Sequence, residues 1–143
     1  MTEVLFYILE DSRPGARENL ARRIARKAWQ QGHRVYLHAP DADRARALDQ
    51  RFWEQPREDF LPHALAGSEE AADTAILIGH GEDPGGQRDV LINLDRTVPE
   101  FCDRFQRVAE LVAGDENERR EARLRWKFYR ERNYPVQDHR LRG

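Results

Sequence analysis

The chain has 143 residues, of which 35% are charged, and its formal net charge is −2. This length suits one ordinary domain with its own core, and the lack of any run of 18 apolar residues excludes a membrane-spanning helix. The single cysteine, Cys102, excludes an internal disulfide bond. With no charged leader before the first apolar run, these features favour a cytoplasmic protein.

The charge is distributed unevenly along the chain. Residues 118–143 contain nine Lys/Arg and four Asp/Glu, a balance of +5, whereas residues 1–117 carry −7. A basic C-terminal segment on an acidic body predicts a surface for a particular partner rather than a general affinity for polyanions.

The hydrophobic pattern predicts alternating strands and helices. The predicted strands cover residues 4–9, 34–38, 74–78 and 89–94, and the predicted helices cover residues 16–31, 43–52, 99–114 and 118–132. Asn117 is the predicted N-cap of the last helix, and Cys102 is a predicted core residue within the third. The pattern predicts a single α/β domain over residues 1–143, with a mostly parallel sheet flanked by helices and a frayed tail from residue 135.

No arrangement of catalytic, cofactor-binding or metal-ligating residues stands out. The loop at 11–15 has one glycine and not the Gly-x-Gly-x-x-Gly of dinucleotide-binding folds. The glycine-rich segment 79–86 leads into a strand, so it lacks the helix N-terminus that binds phosphate, and its His80, Glu82 and Asp83 are predicted to be solvated. The five histidines lack metal-binding spacing. We therefore predict no catalytic residues, no cofactor and no metal.

The last predicted helix carries a tryptophan among cations. At about 100° per residue, Trp126 shares an arc of roughly 100° with four cations, namely Arg119, Arg123, Lys127 and Arg130. Leu124 and Phe128 lie on the opposite side and are predicted to face the core, which leaves the indole facing outward. The stripe predicts a docking site for carboxylates combined with an apolar or aromatic group. Two alternatives remain open: a solvated helix with Trp126 packed on a neighbouring element, and direct binding of single-stranded nucleic acid.

A second candidate surface lies in the irregular segment 53–67. It contains Trp53, Pro56, Phe60, Leu61 and Pro62 among charged residues. Because irregular segments run over protein surfaces, these apolar groups predict a contact patch for another protein. The equally weighted alternative is that Phe60 and Leu61 plug the edge of the sheet while Trp53 caps the second helix.

Several segments together resemble the chi subunit of the bacterial DNA polymerase III holoenzyme. They are FYIL at 6–9, LDQRFW at 48–53, FLPH at 60–63, LAG at 65–67, RDVLINL at 88–94 and AR-x-RWK-x-YR at 122–130. Each segment is weak evidence alone, but their order and spacing over nearly the whole chain are specific.

The resemblance implies a non-catalytic, Rossmann-like protein that binds no nucleotide. It implies two partners: the psi subunit, which tethers chi to the clamp loader, and the acidic C-terminal tail of single-stranded DNA-binding protein, which ends in an aromatic residue. The protein would then be a replisome-associated heterodimer with psi that contacts DNA only indirectly.

Site residues follow from the same resemblance. The tail-binding positions map onto Arg123, Trp126 and Lys127, with Arg119, Val112 and, from the helical stripe, Arg130 as further candidates. The psi-contacting positions map onto Trp53, Phe60 and Pro62, with Leu61 nearby. Trp126 stands where the family commonly has a tyrosine, so the aromatic wall is kept while a hydroxyl is lost.

Overall fold

The computed structural model describes residues 2–10, 13–54, 61–71, 74–81 and 89–141. Its strands are β1 (Glu3–Leu9), β2 (Val35–His38), β3 (Ala64–Leu65), β4 (Ile76–Gly79), β5 (Val90–Asn93), β6 (Arg107–Val112) and β7 (Val136–Leu141). Its α-helices are α1 (Ala16–Gln30), α2 (Ala42–Trp53) and α3 (Glu116–Glu131). The predictions for Pro56, Phe60, Glu82 and Asp83 and for residues 142–143 lie outside the described residues.

The described strands form one seven-stranded sheet in the order β3-β4-β2-β5-β6-β1-β7. All neighbouring strands run parallel. Every residue of β2, β4 and β5 is buried, as expected for parallel strands covered on both faces. The predicted α/β class with a Rossmann-like parallel sheet is thus confirmed. None of the helices in the described part of the chain is long and apolar enough to cross a membrane.

Helices cover both faces of the sheet. On one face, α1 and α2 contribute Leu20 and Leu48 to a core cluster that includes Val35. On the other face, Ala122 of α3 belongs to a second cluster together with Phe6 of β1. The sheet is therefore the middle layer of a three-layer domain.

The predicted third helix over residues 99–114 is wrong. Its place is taken by a short 3₁₀ turn, Cys102–Arg104, and by β6. Phe101, Phe105, Val108 and Val112 follow one another in steps of four, three and four residues, which resembles a helical stripe. Residues 108–112 are all buried, however, which suits a strand covered on both faces. Cys102 is buried, as predicted, although it lies in the 3₁₀ turn.

The predicted frayed tail is also wrong for residues 136–141. These residues form β7, which pairs in parallel with β1 from Val136 beside Val4 to Leu141 beside Leu9. The strand looks like a tail in the sequence because it lies at the edge of the sheet and residues 137–140 are exposed. Edge strands commonly carry charged and polar side chains.

The rotation of α3 about its axis differs from the prediction. Its buried residues are Ala122, Arg125 and Tyr129, whereas Leu124, a predicted core residue, is 66% exposed. Phe128, also predicted to face the core, is only partly buried. The reason is an ionic interaction beneath the helix between Arg125 and Glu110. It directs Arg125 towards the core, where the hydrophobic pattern predicted apolar residues.

The N-cap of α3 is Asp115 and not Asn117. The Asp115 carboxylate accepts hydrogen bonds from the backbone N–H groups of Asn117 and Glu118. The helix therefore begins two residues before the predicted start, and the carboxylate lies at the positive end of the helix dipole.

The ionic interaction is centred on Glu110 of β6, which is fully buried. The Nε of Arg125 donates to its Oε1 at 2.8 Å, and the Tyr129 hydroxyl donates to its Oε2 at 2.7 Å. Asn93 of β5 donates to the same Oε2 at 2.9 Å. Burial raises the pKa of the Glu110 carboxyl, and the charge of Arg125 opposes that rise. This Glu110 cluster (Glu110, Arg125, Tyr129 and Asn93) joins α3 to the sheet.

Replacing Arg125 by alanine should destabilise the protein strongly, because Glu110 then keeps its burial but loses its cation. We expect the free energy of unfolding to fall by about 3–5 kcal/mol, as measured by urea denaturation. Arg120→Ala on the exposed side of α3 is the matched control and should change stability by less than about 0.5 kcal/mol. Equal stabilities of the two variants would contradict a structural role for the cluster.

Candidate functional site

A cavity of about 210 Å³ lies between α3 and the β1–β7 edge of the sheet. Three strands and one helix contribute to it. Its lining residues are Phe6 and Ile8 of β1, Val112 of β6, Arg119, Ala122, Arg123 and Trp126 of α3, and Arg140 of β7. We call this site the α3 cavity; it combines an apolar floor with three arginines.

The floor and one wall of the α3 cavity are aromatic and aliphatic. Phe6 and Ile8 are two residues apart on β1 and so point to the same face of the sheet. Trp126 packs against Phe6, with ring centroids 5.1 Å apart and an interplanar angle of 57°. The indole is partly buried, so it neither faces fully outward, as the sequence predicted, nor lies sealed in the core. It can form the wall of a pocket.

The three arginines of the α3 cavity have no ion-pair partner among the described residues. Arg119 and Arg123 are four residues apart and thus neighbours on the surface of α3, while Arg140 approaches from β7. The Nε of Arg119 is buried and has no hydrogen-bond partner within the described ranges. The cavity therefore presents positive charge, and one donor of Arg119 has no described acceptor.

The acids of α3 that are close to these arginines in sequence are engaged elsewhere. Glu118 pairs with Arg17 of α1 at 2.7 Å, and Glu121 lies 3.7 Å from Arg96. Both pairs line a different cavity and not the α3 cavity. These carboxylates therefore leave the positive charge at the cavity largely uncompensated.

A second surface lies at the end of α2. Trp53 is 51% exposed, and its indole packs on the imidazole of His63 with centroids 4.5 Å apart. His63 is buried, with Nδ1 2.7 Å from the Leu61 carbonyl oxygen and Nε2 3.4 Å from a carboxylate oxygen of Asp49. Burial raises the pKa of the Asp49 carboxyl, while His63 and a hydrogen bond from the Trp53 side chain oppose the rise. The buried imidazole of His63 thus supports an exposed indole.

Leu61 does not belong to this second surface. It is 1% exposed and is part of the core cluster beneath α1 and α2, so its prediction as a partner contact is wrong and the alternative, that it plugs the sheet, holds. Pro62 is partly buried beside it, and Phe60 lies outside the described residues. We define the Trp53 patch as Trp53 and Pro62, with the buried His63 supporting the indole of Trp53.

Comparison with known proteins decides the family. Residues 1–137 match the model of the family described as DNA polymerase III chi subunit, HolC. The chain belongs to the DNA polymerase III chi subunit family. It is 48% identical over 141 residues to DNA polymerase III subunit chi of Pseudomonas aeruginosa, which covers 99% of this chain and 98% of that protein.

More distant chi subunits match over most of their length as well. The chi subunit of Escherichia coli K12 is 31% identical over 135 residues, covering 91% of this chain and 92% of that protein. The chi subunit of Haemophilus influenzae is 31% identical over 126 residues. The resemblance seen in the sequence is confirmed, and membership of the chi family supports an accessory role in DNA replication.

In this chi-family protein, the structure brings together four of the six predicted tail-binding residues. Val112, Arg119, Arg123 and Trp126 line the α3 cavity. Lys127 and Arg130 do not line it; Lys127 lies 3.8 Å from Glu131, one turn away on the exposed side of α3. Their role in binding remains a prediction, and their distance from the cavity favours a weaker contribution.

The residues that the sequence did not reveal come from strands. Phe6 and Ile8 form part of the floor, and Arg140 forms part of the rim. Alternate residues of a strand point to the same face, which is a pattern that a sequence can show. Nothing in the sequence, however, indicates that β1 and β7 are neighbours or that α3 lies over them. The sequence pattern places Arg140 in a frayed tail, so it gives no reason to expect this residue at a binding site.

A pair between a buried histidine and a partly exposed carboxylate, also not predicted, lies at the end of β2. The Nε2 of His38 is 3.2 Å from Asp95, and burial lowers the pKa of His38 although Asp95 opposes the shift. The ring also packs edge-on against Phe101, with centroids 5.3 Å apart, which suits a structural role. Within the described ranges, no group of three or more His, Cys, Asp or Glu residues could hold a metal ion.

The Trp53 patch and the core beneath it should respond differently to truncation. Leu61→Ala removes a fully buried side chain and should lower the free energy of unfolding by about 2–5 kcal/mol. Trp53→Ala removes a half-exposed side chain and should cost at most about 1 kcal/mol. Urea denaturation of both variants checks this, and similar large losses in both would mean that Trp53 is a core residue.

Proposed function

We propose that this chi-family protein is a non-catalytic adaptor of the DNA polymerase III clamp loader. In this proposal the α3 cavity binds the acidic C-terminal tail of single-stranded DNA-binding protein, and the Trp53 patch binds the psi subunit. The protein would then act at the replisome and contact DNA only through its partners. The observation that carries the proposal is an apolar cavity walled by Trp126 and flanked by arginines without described acidic partners.

The chemistry of the α3 cavity suits the end of a peptide chain. An engineered cavity of about 150 Å³ binds benzene, so a volume of about 210 Å³ accommodates one aromatic ring. Phe6 and Trp126 offer that ring apolar and edge-to-face contacts. Arg119 and Arg123 offer a nearby carboxylate charge-assisted hydrogen bonds, which are stronger than neutral ones. An aromatic residue with a free carboxylate uses both features at once.

The alternative function is direct binding of single-stranded nucleic acid by the same side chains, but their geometry suits this function less well. A stacking platform needs an open ring face, whereas the Trp126 indole is partly covered by Phe6. Backbone tracking also needs a continuous basic groove, and the described arginines near Trp126 surround a single cavity. The geometry therefore favours a chain end over a polynucleotide.

Reversing one charge at the cavity should weaken peptide binding. We expect Arg123→Glu to reduce the affinity for a short acidic peptide with a free C-terminal phenylalanine by about 1–3 kcal/mol, measured by calorimetry. Affinity for the wild type should also fall with added salt, because the arginines are partly exposed.

Arg120→Glu is the matched control for that experiment. It makes the same charge change on α3 at an exposed position that does not line the cavity, so its effect should be small at physiological salt. An affinity unchanged by Arg123→Glu would refute the tail-binding proposal. Tight, salt-sensitive binding of a bare oligonucleotide with no response to the peptide would favour the nucleic-acid function instead.

Truncating the exposed indole should weaken the association with psi. Trp53→Ala removes an exposed aromatic anchor of the kind that dominates protein interfaces, so we expect reduced co-purification of psi with an unchanged circular dichroism spectrum. Leu124→Ala, which truncates another exposed apolar side chain, is the control. Full recovery of psi with Trp53→Ala would contradict the assignment of the patch.

A further inference from the structure

We propose that Arg140 on β7 is a further recognition residue, which binds a side-chain carboxylate upstream of the C-terminal residue of the peptide. The inference rests on the proposed function of the α3 cavity and extends it. It makes the C-terminal strand part of the binding site and gives the site a second requirement, an acidic residue before the chain end.

The placement of Arg140 follows from the strand register. Arg140 is paired with Ile8 of β1, and both side chains line the α3 cavity. The preceding residue, His139, points to the other face of the sheet, where its ring packs edge-on against Tyr7 with centroids 6.3 Å apart. Strand alternation therefore directs Arg140, and not His139, at the cavity.

The charge of Arg140 is available to a ligand. No described acid forms an ion pair with its guanidinium, and this includes Asp138, which lies two residues earlier on the same face of β7. Arg140 is exposed, so a bound carboxylate would remain partly solvated. A contact of this kind contributes modestly to affinity but adds specificity.

The shape of the site determines which part of a peptide reaches Arg140. On the β5 side, α3 is held down by Arg125, which contacts both Glu110 and the carbonyl oxygen of Arg96, and by the pair between Glu118 and Arg17. On the opposite side the sheet ends, because β7 is its last strand. A peptide whose final side chain occupies the cavity and whose chain leaves across the β7 edge passes Arg140.

The two groups of cations then have separate roles. Arg119 and Arg123 are neighbours on the surface of α3 and both line the α3 cavity, so they suit the terminal carboxylate. Arg140 stands on the opposite strand and suits a carboxylate farther up the chain. This division predicts that the terminal carboxylate and an upstream acid are recognised independently.

The test is a double-mutant cycle on the 143-residue protein. It uses the acidic phenylalanine-ended peptide and a version in which the upstream acidic residues are replaced by asparagines. Arg140→Ala should reduce the affinity for the acidic peptide by about two- to fivefold. The same substitution should not change the affinity for the asparagine peptide. Arg140→Lys should keep most of the affinity, because it keeps the charge. His139→Ala, on the opposite face of the same strand, should leave the affinity unchanged.

Other outcomes separate this inference from the proposed function. If Arg123→Glu reduces the affinity for the acidic peptide while Arg140→Ala does not, the cavity binds the tail but Arg140 does not contribute to the binding. If Arg140→Ala reduces the affinity for both peptides equally, Arg140 does not bind an upstream acid and the inference fails. If neither variant weakens binding, the proposed function itself fails.

Discussion

The carboxylate of Glu110 is enclosed between β6 and α3, where it accepts hydrogen bonds from Arg125, Tyr129 and Asn93. Arg125 and Tyr129 are one turn apart, so their shared contact determines the rotation of α3 about its axis. Removing one partner of a buried pair costs several kcal/mol, whereas exposed charges contribute little. The orientation of the helix is therefore set by this cluster and not by the stripe of arginines.

That rotation produces the α3 cavity. Each residue advances about 100° around a helix, so with Arg125 directed at Glu110, Trp126 falls on the flank nearest β1 and Leu124 on the solvent side. Arg119 and Arg123 follow Trp126 onto the same flank. Glu118 and Glu121 fall on the other flank, where they pair with Arg17 and Arg96. One buried interaction thus separates the charges of α3 into a neutralised flank and a cationic one.

The two proposed binding surfaces lie far apart in the fold. The α3 cavity is at the β7 edge of the sheet, and the Trp53 patch, through His63, adjoins β3 at the opposite edge. The helices that carry them, α3 and α2, cover opposite faces. The two surfaces share no residues, which is compatible with the proposed adaptor function.

The residue pattern alone predicts the α/β class, the resemblance to the chi family and the helical part of the candidate site. Helical spacing places Arg119, Arg123 and Trp126 on one flank, because it depends only on positions close together in the chain. The pattern could not place Leu61, because an apolar residue between prolines can lie either at the surface or in the core. It also predicted a helix at β6, because apolar residues four positions apart occur in a fully buried strand as well. Only the tertiary structure decided that β7 pairs with β1, that Glu110 brings Arg125 inward, and that Phe6, Ile8 and Arg140 complete the cavity. Those contacts join residues far apart in the chain, and their free energy comes from burial and charge pairing that exist only once the sheet has formed.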